Sequence, residues 1–271
     1  MKGVIMFQFF KKTILFSSFL TIIILPNLTF ANAINNTIVP ENNLWEEDQF
    51  FLIENITEET FNNIIKVFHE VYDPEATAHN ETLTFNAKWA SSEVNARSIR
   101  NNGVVTIHLY GGLARRKEMT ADAFALVICH ELGHAYGGEP YFIEASQLSA
   151  EGQADYYGAK NCLNKILPKL PNHPQQLLKT NYTQKICAEQ FGNNSPDFDL
   201  CLRKLSSGIS LGKFFATIDQ LTNKEPSYET PEKRVVSETI LYYPHTQCRI
   251  DTYFNGIFNL ARPTCWYKAT N

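Results

Sequence analysis

The chain has 271 residues, of which 44% are hydrophobic and 13% aromatic, and this composition is typical of a globular protein rather than a disordered one. Its formal net charge is −4 at pH 7, and it becomes −7 if residues 1–33 are removed, because that stretch holds three lysines and no acidic residue. A negative chain of this kind argues against nucleic acid and anionic lipid surfaces as partners.

The N-terminus has the pattern of a secretory signal peptide. Three lysines precede or flank the start of an apolar run at residues 13–25, and an A-x-A cleavage pattern ends at Ala33. A retained membrane anchor is the alternative, but the apolar run is short for a bilayer span. The spacing of the A-x-A pattern favours cleavage.

These features predict three regions. Residues 1–33 form the signal peptide, residues 34–50 a flexible leader, and residues 51–271 a single domain. We expect a protein exported to the periplasm or secreted, with no stable membrane anchor after cleavage.

Helix and strand patterns then alternate along the chain. Apolar residues at helical spacing predict an amphipathic helix over 58–72, with Thr57 as its N-cap and Pro74 ending it. Strand patterns follow at 83–89, 94–99 and 104–110, with a tight-turn signal at residues 101–103 between the last two. A hairpin is therefore expected just before the next helix.

That next helix carries the strongest chemical signal. Thr120 is its predicted N-cap, and Gly137 and Gly138 are its stop. Within it, His130 and His134 are four residues apart, so their imidazoles share one face and can bind a single metal ion. Glu131, beside the first histidine, is the candidate general base.

A third protein ligand is needed to complete a catalytic metal site with one open position. Glu151 is the nearest downstream candidate, at the start of a second helix that begins near Ser149. Asp155 lies four residues later on the same helix face. It can accept a hydrogen bond from the far nitrogen of a ligand histidine, which fixes the tautomer of that histidine.

The rest of the chain is less regular in pattern. We expect a loop over 139–148, loops and short helices over 168–196, an amphipathic helix over 211–221, and an irregular C-terminal segment after Pro231.

All six cysteines lie beyond the predicted signal peptide, which suggests disulfides in an exported protein. Cys248 with Cys265 is the best single pair, because the two bracket one short unit. Cys187 with Cys201 is a weaker second pair. Cys129, inside the histidine-bearing helix, is expected to be a buried thiol.

The two histidines followed by Glu151-x-x-Ala-Asp155 resemble the gluzincin metallopeptidases, in particular the CAAX-prenyl-protease and HtpX-like branch. Two further stretches support the resemblance. The Val94-Asn95-Ala96 stretch, with the strand after it, is similar to the hairpin that precedes the metal helix in that branch. Residues 243–249, Tyr-Pro-His-Thr-Gln-Cys-Arg, are similar to its His-Pro-x-x-x-x-Arg element.

The resemblance implies an α+β, zincin-like metallopeptidase domain with a small hairpin or sheet packed on the active-site helix, further helices and a disulfide-supported C-terminal segment. It implies one Zn²⁺ per chain, a polypeptide substrate and Glu131 as base and proton shuttle. The membrane spans of the branch are absent. The histidine before its proline is Tyr243 here, so Tyr243 or the nearby His245 would have to stabilise the oxyanion, although a packing or surface role is the alternative for both. Arg249 is expected to pair with a carboxylate such as Asp155.

Three functions remain open from the sequence. The first is an exported zinc endopeptidase whose substrate aligns by strand addition to residues 104–110. The second is a non-catalytic, zinc-stabilised binding module. The third is a disulfide-stapled structural protein with an incidental metal.

Overall fold

The stretches with strand patterns form a small mixed sheet. The computed structural model of the chain describes residues 36–44, 56–144, 147–219 and 225–269. In this part of the chain the sheet has four strands in the order β1–β3–β4–β2. The strands are Asn36–Thr37 (β1), Thr82–Lys88 (β2), Ala96–Asn101 (β3) and Val104–Tyr110 (β4).

The predicted hairpin is confirmed. Strands β3 and β4 pair antiparallel, with Asn101 opposite Val104. The two residues between them, Asn102 and Gly103, have φ values of 49° and 75°, as expected for a tight turn that requires positive φ at both positions. Strand β2 pairs parallel to β4. Strand β4 is therefore internal to the sheet, with β3 on one side and β2 on the other.

Helices make up most of the remaining described residues, so the predicted α+β class is confirmed, with a small sheet and mostly helical structure. The α-helices are Glu58–Ala78 (α1), Gly111–Ala114 (α2), Ala121–Tyr136 (α3), Glu151–Tyr157 (α4), Leu163–Ile166 (α5), Asn181–Phe191 (α6), Pro196–Ile218 (α7) and Thr246–Ile257 (α8).

Helix α1 begins as predicted, with the Thr57 side chain accepting a hydrogen bond from the Thr60 N–H. The prediction that it ends at Pro74 is wrong, because it continues to Ala78. A proline removes only one N–H from the helical ladder. Here Ala76 packs in the core beyond it, and the Thr77 hydroxyl donates to the Asp73 carbonyl at 2.9 Å.

Helix α3 lies at the centre of the core. Its predicted cap is present: the Thr120 side chain accepts from the Ala123 N–H, and the helix ends at Tyr136 before Gly137. Every residue from Ala121 to Ala135 is buried. Because the helix is covered on all sides, its polar side chains need partners inside the protein, such as other side chains or a metal ion.

Three segments depart from the sequence prediction. The expected loop over 139–148 contains strand β5 (Tyr141–Ile143), which pairs with β6 (Leu148–Ser149). Helix α4 begins at Glu151 and continues through a π-helical turn at Gly158–Cys162 into α5. The predicted helix over 211–221 is the end of the much longer α7.

The C-terminal segment is also more ordered than predicted. It contains α8, whose buried residues include Arg249 and Tyr253. The sequence prediction missed this helix because its apolar residues are interspersed with buried polar ones.

Three disulfides join the described elements. Cys187–Cys201 and Cys248–Cys265 are the two predicted pairs. The prediction of a free thiol at Cys129 is wrong, because Cys129 is bonded to Cys162. This third bridge connects α3 to the π-helical turn after α4.

Residues 36–44 lie in the stretch predicted to be a flexible leader, yet they pack on the domain. Strand β1 pairs with β3, and Ile38, Val39 and Leu44 are buried. The expectation of a flexible leader does not describe these residues. The predicted signal peptide and the remainder of the leader lie outside the described residues. Within the described ranges, no helix has both the length and the apolar character needed to cross a bilayer.

Candidate metal centre

Three side chains from two helices converge at one point. His130 and His134 come from α3, and Glu151 comes from the first turn of α4. One potential ligand atom from each residue lies within 4.8 Å of the other two. The Nε2 atoms of His130 and His134 are 3.4 Å and 3.5 Å from the Glu151 carboxylate oxygens. The structure therefore brings together the three residues that the sequence nominated as ligands.

The opposite nitrogen of each histidine has its own acceptor. His130 Nδ1 lies 2.8 Å from Asp155 Oδ1, and His134 Nδ1 lies 2.8 Å from the Ser149 carbonyl oxygen. Each Nδ1 therefore carries a proton, and each Nε2 is the nitrogen that faces the shared point and can bind a metal ion once it has no proton of its own.

This arrangement fits a metal ion. Both Nε2 atoms and Glu151 Oε2 are buried and have no hydrogen-bond partner in the described structure. When both histidines are neutral, these atoms are buried acceptors that face one another without a donor, which is unfavourable, and a cation between them removes the conflict. A set of two imidazoles and one carboxylate suits zinc, and three protein ligands are typical of a site that keeps one position open.

Burial and neighbouring charges set the titration of the two histidines. Burial lowers the pKa of His130, but the Asp155 carboxylate, together with Glu151, raises it more, to about 9. Burial lowers the pKa of His134 to about 4. The two histidines differ because His134 is held by a neutral carbonyl, whereas His130 faces a full carboxylate.

Glu131 differs from the other acidic residues of the site. It is 0% exposed, and neither of its carboxylate oxygens has a hydrogen-bond partner in the described structure. Burial raises its pKa to about 8, against the lowering effect of the His130 charge. A carboxylate with no structural partner and a pKa near neutrality is suited to accept and release a proton.

Asp155 is the centre of a buried hydrogen-bond network. Besides His130, it accepts from Arg249 Nε at 2.8 Å, from Arg249 Nη2 at 2.9 Å and from the Tyr253 hydroxyl at 2.7 Å. Burial opposes its ionisation, but Arg249 and His130 hold the pKa of Asp155 well below its usual range. The network fixes a negative charge behind His130, and the expected pairing of Arg249 with Asp155 is confirmed.

Close packing between α3 and α4 holds the ligands at this spacing. A Cβ atom on Gly133 would lie 2.6 Å from the Ala154 carbonyl oxygen and 2.8 Å from Ala154 Cα. Gly133 lies between the two ligand histidines in sequence. The absence of a side chain there lets α4 approach until Glu151 reaches both of them.

The two candidate oxyanion donors lie in different surroundings. The Tyr243 hydroxyl, half-buried, donates to the Thr37 carbonyl at 2.9 Å. Burial raises the pKa of Tyr243, and the charges of Glu151 and Arg249 also act on it. His245 is exposed and has its Nδ1 3.9 Å from Asp219 Oδ2.

The proposed role of residues 104–110 in aligning a substrate is wrong. Strand β4 has β2 and β3 as neighbours, so its backbone groups on both sides are already paired. Strand addition requires a free edge.

Several residues of the site carry no sequence signal. Tyr253 contributes its side-chain hydroxyl, Ser149 contributes a backbone carbonyl, and Arg97 on β3 acts on Glu131 through its charge. A tyrosine four residues after Arg249 on a helix could have pointed to a shared face, had α8 been predicted.

Comparison with known proteins gives no relative for this chain. No protein-family model, curated protein or solved structure matches it. The residues of the site itself are therefore what indicates a function.

Proposed function

We propose that the chain is an exported zinc-dependent endopeptidase with a zincin-like domain of the gluzincin type. His130, His134 and Glu151 would bind the ion, and Glu131 would act as general base. The observation that supports this most is the convergence of buried, unpartnered acceptor atoms beside a buried carboxylate that has no structural role.

When bound, zinc supplies Lewis acidity, which lowers the pKa of water and polarises a peptide carbonyl. Glu131 accepts the proton of the attacking water and later delivers it to the amine that leaves. Its raised pKa suits both steps, since it can hold and release a proton near neutral pH. Asp155 keeps His130 in the tautomer that offers Nε2, and the Ser149 carbonyl does the same for His134.

Tyr243 is the candidate donor to the developing oxyanion, because it is a neutral O–H donor near the site, where burial and the Glu151 charge raise its pKa and keep it protonated. Its hydroxyl proton is directed to Thr37 in the structure, so it can serve a substrate only when that bond opens. His245 is the alternative donor. The three disulfides favour an oxidising compartment, which supports export to the periplasm or beyond the cell.

The substitution Glu131→Gln tests this function. We expect bound zinc per chain to remain near that of the wild type, while hydrolysis of a denatured protein substrate falls by at least about 100-fold, since general-base catalysis contributes about 10²–10⁴-fold. Metal content is measured by atomic emission and cleavage by mass spectrometry of a peptide library. Equal cleavage by the wild type and the Glu131→Gln protein would refute the proposed mechanism.

The wild type and the Glu131→Gln protein also distinguish the endopeptidase from the alternative function. A non-catalytic, zinc-stabilised binding module would hold zinc in both forms and cleave nothing in either. That reading leaves the buried and unpartnered Glu131 unexplained, because burying an ionisable group without a partner destabilises a fold.

A further inference from the structure

The N-terminal segment lies along the free side of β3. We call residues 36–42 the N-terminal strap. Thr37 is paired opposite Arg97, and the Ile38 N–H donates to the Ala96 carbonyl at 3.0 Å. The strap thus occupies the edge of the sheet that β4 does not cover.

Strand β3 itself runs beside the metal-bearing helix. Arg100 Nη1 donates to the Ala135 carbonyl, one residue beyond the second ligand histidine, at 3.2 Å. The strap is also linked to the site through Arg249, which donates to the Ile38 carbonyl and to Asp155, the acceptor of the ligand His130. A chain paired on the outer edge of β3 is therefore held close to the metal ligands.

Three consecutive carbonyl groups of the strap are bound by the surrounding elements. The Thr37 carbonyl accepts from Tyr243, the Ile38 carbonyl accepts from Arg249 Nη1 at 2.8 Å, and the Val39 carbonyl accepts from Asn95 Nδ2 at 3.1 Å. Ile38 and Val39 are 0% and 2% exposed. Main-chain recognition of this kind suits an extended polypeptide of many sequences.

Two cavities border the strap. One cavity, of about 210 Å³, is lined by Val39 and Pro40 of the strap together with Tyr243 and Arg249. The other, of about 360 Å³, is lined by other strap residues and by Arg97. A substrate laid along the same line would have space for side chains in these cavities.

We propose that the N-terminal strap is autoinhibitory. It holds the edge of β3 that an extended polypeptide would otherwise use, and it engages the Tyr243 hydroxyl at the same time. Hydrolysis requires its displacement. This inference rests on the proposed function, since it assigns the strap to the substrate groove of that same site.

Two substitutions in the full chain weaken the strap by different means. Ile38→Pro removes the N–H that pairs with Ala96, and Ile38→Ala removes buried side-chain volume. Loss of one hydrogen bond should raise the open fraction, and with it the hydrolysis of a denatured protein, about fivefold. Loss of the buried side chain in Ile38→Ala should raise hydrolysis about tenfold or more. Glu58→Gln, at an exposed position outside the strap, is the control and should have no effect.

A second measurement does not depend on hydrolysis. A fluorescent peptide with the sequence of residues 35–43 should bind both Ile38 variants by anisotropy and should bind the wild type at least about fivefold more weakly, because the covalent strap competes with it. The peptide should also inhibit the variants. Thermal unfolding and zinc content show whether each variant is folded.

The outcomes separate the strap from the function. In one outcome, hydrolysis depends on Glu131, but folded Ile38 variants hydrolyse no faster than the wild type and bind the peptide no better. This result would refute the autoinhibitory role of the strap and would still support the endopeptidase. In another outcome, the Ile38 variants bind the peptide better than the wild type, but none of the proteins hydrolyses the substrate. This result would support the strap as occupant of the β3 edge and would refute the endopeptidase function. Increased hydrolysis with preferential binding supports both.

Discussion

Replacing Asp155 by Asn should damage both stability and metal binding. The carboxylate of Asp155 accepts hydrogen bonds from His130, Arg249 and Tyr253, all of them buried. An amide keeps one oxygen but turns an N–H₂ donor towards groups that are donors themselves. It also leaves Arg249 with Glu151, 3.9 Å from its Nη2, in place of the closer Asp155 carboxylate. Breaking a buried ion pair at one partner costs about 3–5 kcal/mol. Losing the acceptor of a ligand histidine lowers metal affinity about 10–100-fold.

The two effects are measured separately. Urea unfolding of the zinc-free protein, with the disulfides intact, gives the change in the free energy of unfolding, and competition with a chromophoric chelator gives the zinc affinity of the folded protein. Tyr253→Phe is the control, because it removes one hydrogen bond to Asp155 Oδ1 while the ion pair with Arg249 remains. It should cost less than Asp155→Asn in both assays. An Asp155→Asn protein within about 1 kcal/mol of the wild type, with unchanged zinc affinity, would refute the role of this network.

Three further predictions follow from the same packing and electrostatics. Replacing Cys129 and Cys162 together by Ala should lower the free energy of unfolding by about 4 kcal/mol, whereas removing either of the other bridges, which close shorter loops, should cost about 3 kcal/mol in denaturant titrations. Gly133→Ala should lower the free energy of unfolding by about 1–3 kcal/mol and weaken zinc binding, because the added methyl group meets the backbone of α4. Gly212→Ala is the control, because the added methyl group there meets the movable tip of a side chain. It should leave zinc affinity unchanged. Apparent zinc affinity should rise by up to about tenfold per pH unit below pH 9, because a proton on His130, whose pKa is raised to about 9, competes with the ion. Calorimetry in buffers of different ionisation enthalpy should show that this proton is released when zinc binds. A zinc affinity that does not change between pH 6 and 8 would contradict this prediction.

Local signals explain what the sequence could predict. The limits of α3 follow from a side-chain cap at Thr120 and a glycine stop at Gly137, and both act within one helical turn. The spacing of His130 and His134 places them on one face whatever surrounds the helix. Glu151 could be nominated because α4 follows α3 after a short connection and must pack against it.

The features that the sequence did not predict depend on contacts between distant segments. The pairing of Thr37 with β3 joins residues about 60 positions apart, and neither stretch encodes it alone. The Cys129–Cys162 bridge depends on how α4 continues through its π-helical turn. Pro74 predicts a helix end by a local rule, and the packing of the following turn overrides that rule.

The bridge between Cys129 and Cys162 also bears on when the protein matures. Cys129 is the residue immediately before His130, and Cys162 belongs to the helical segment that continues from Glu151, so one covalent bond spans the two halves of the ligand set. In a cytosol that keeps thiols reduced, this tie is missing and the three ligands are held by packing alone. Under the proposed export and hydrolytic function, oxidation would precede efficient metal uptake, and the cell that makes the protein would be protected from hydrolysis until the chain had left the compartment of synthesis.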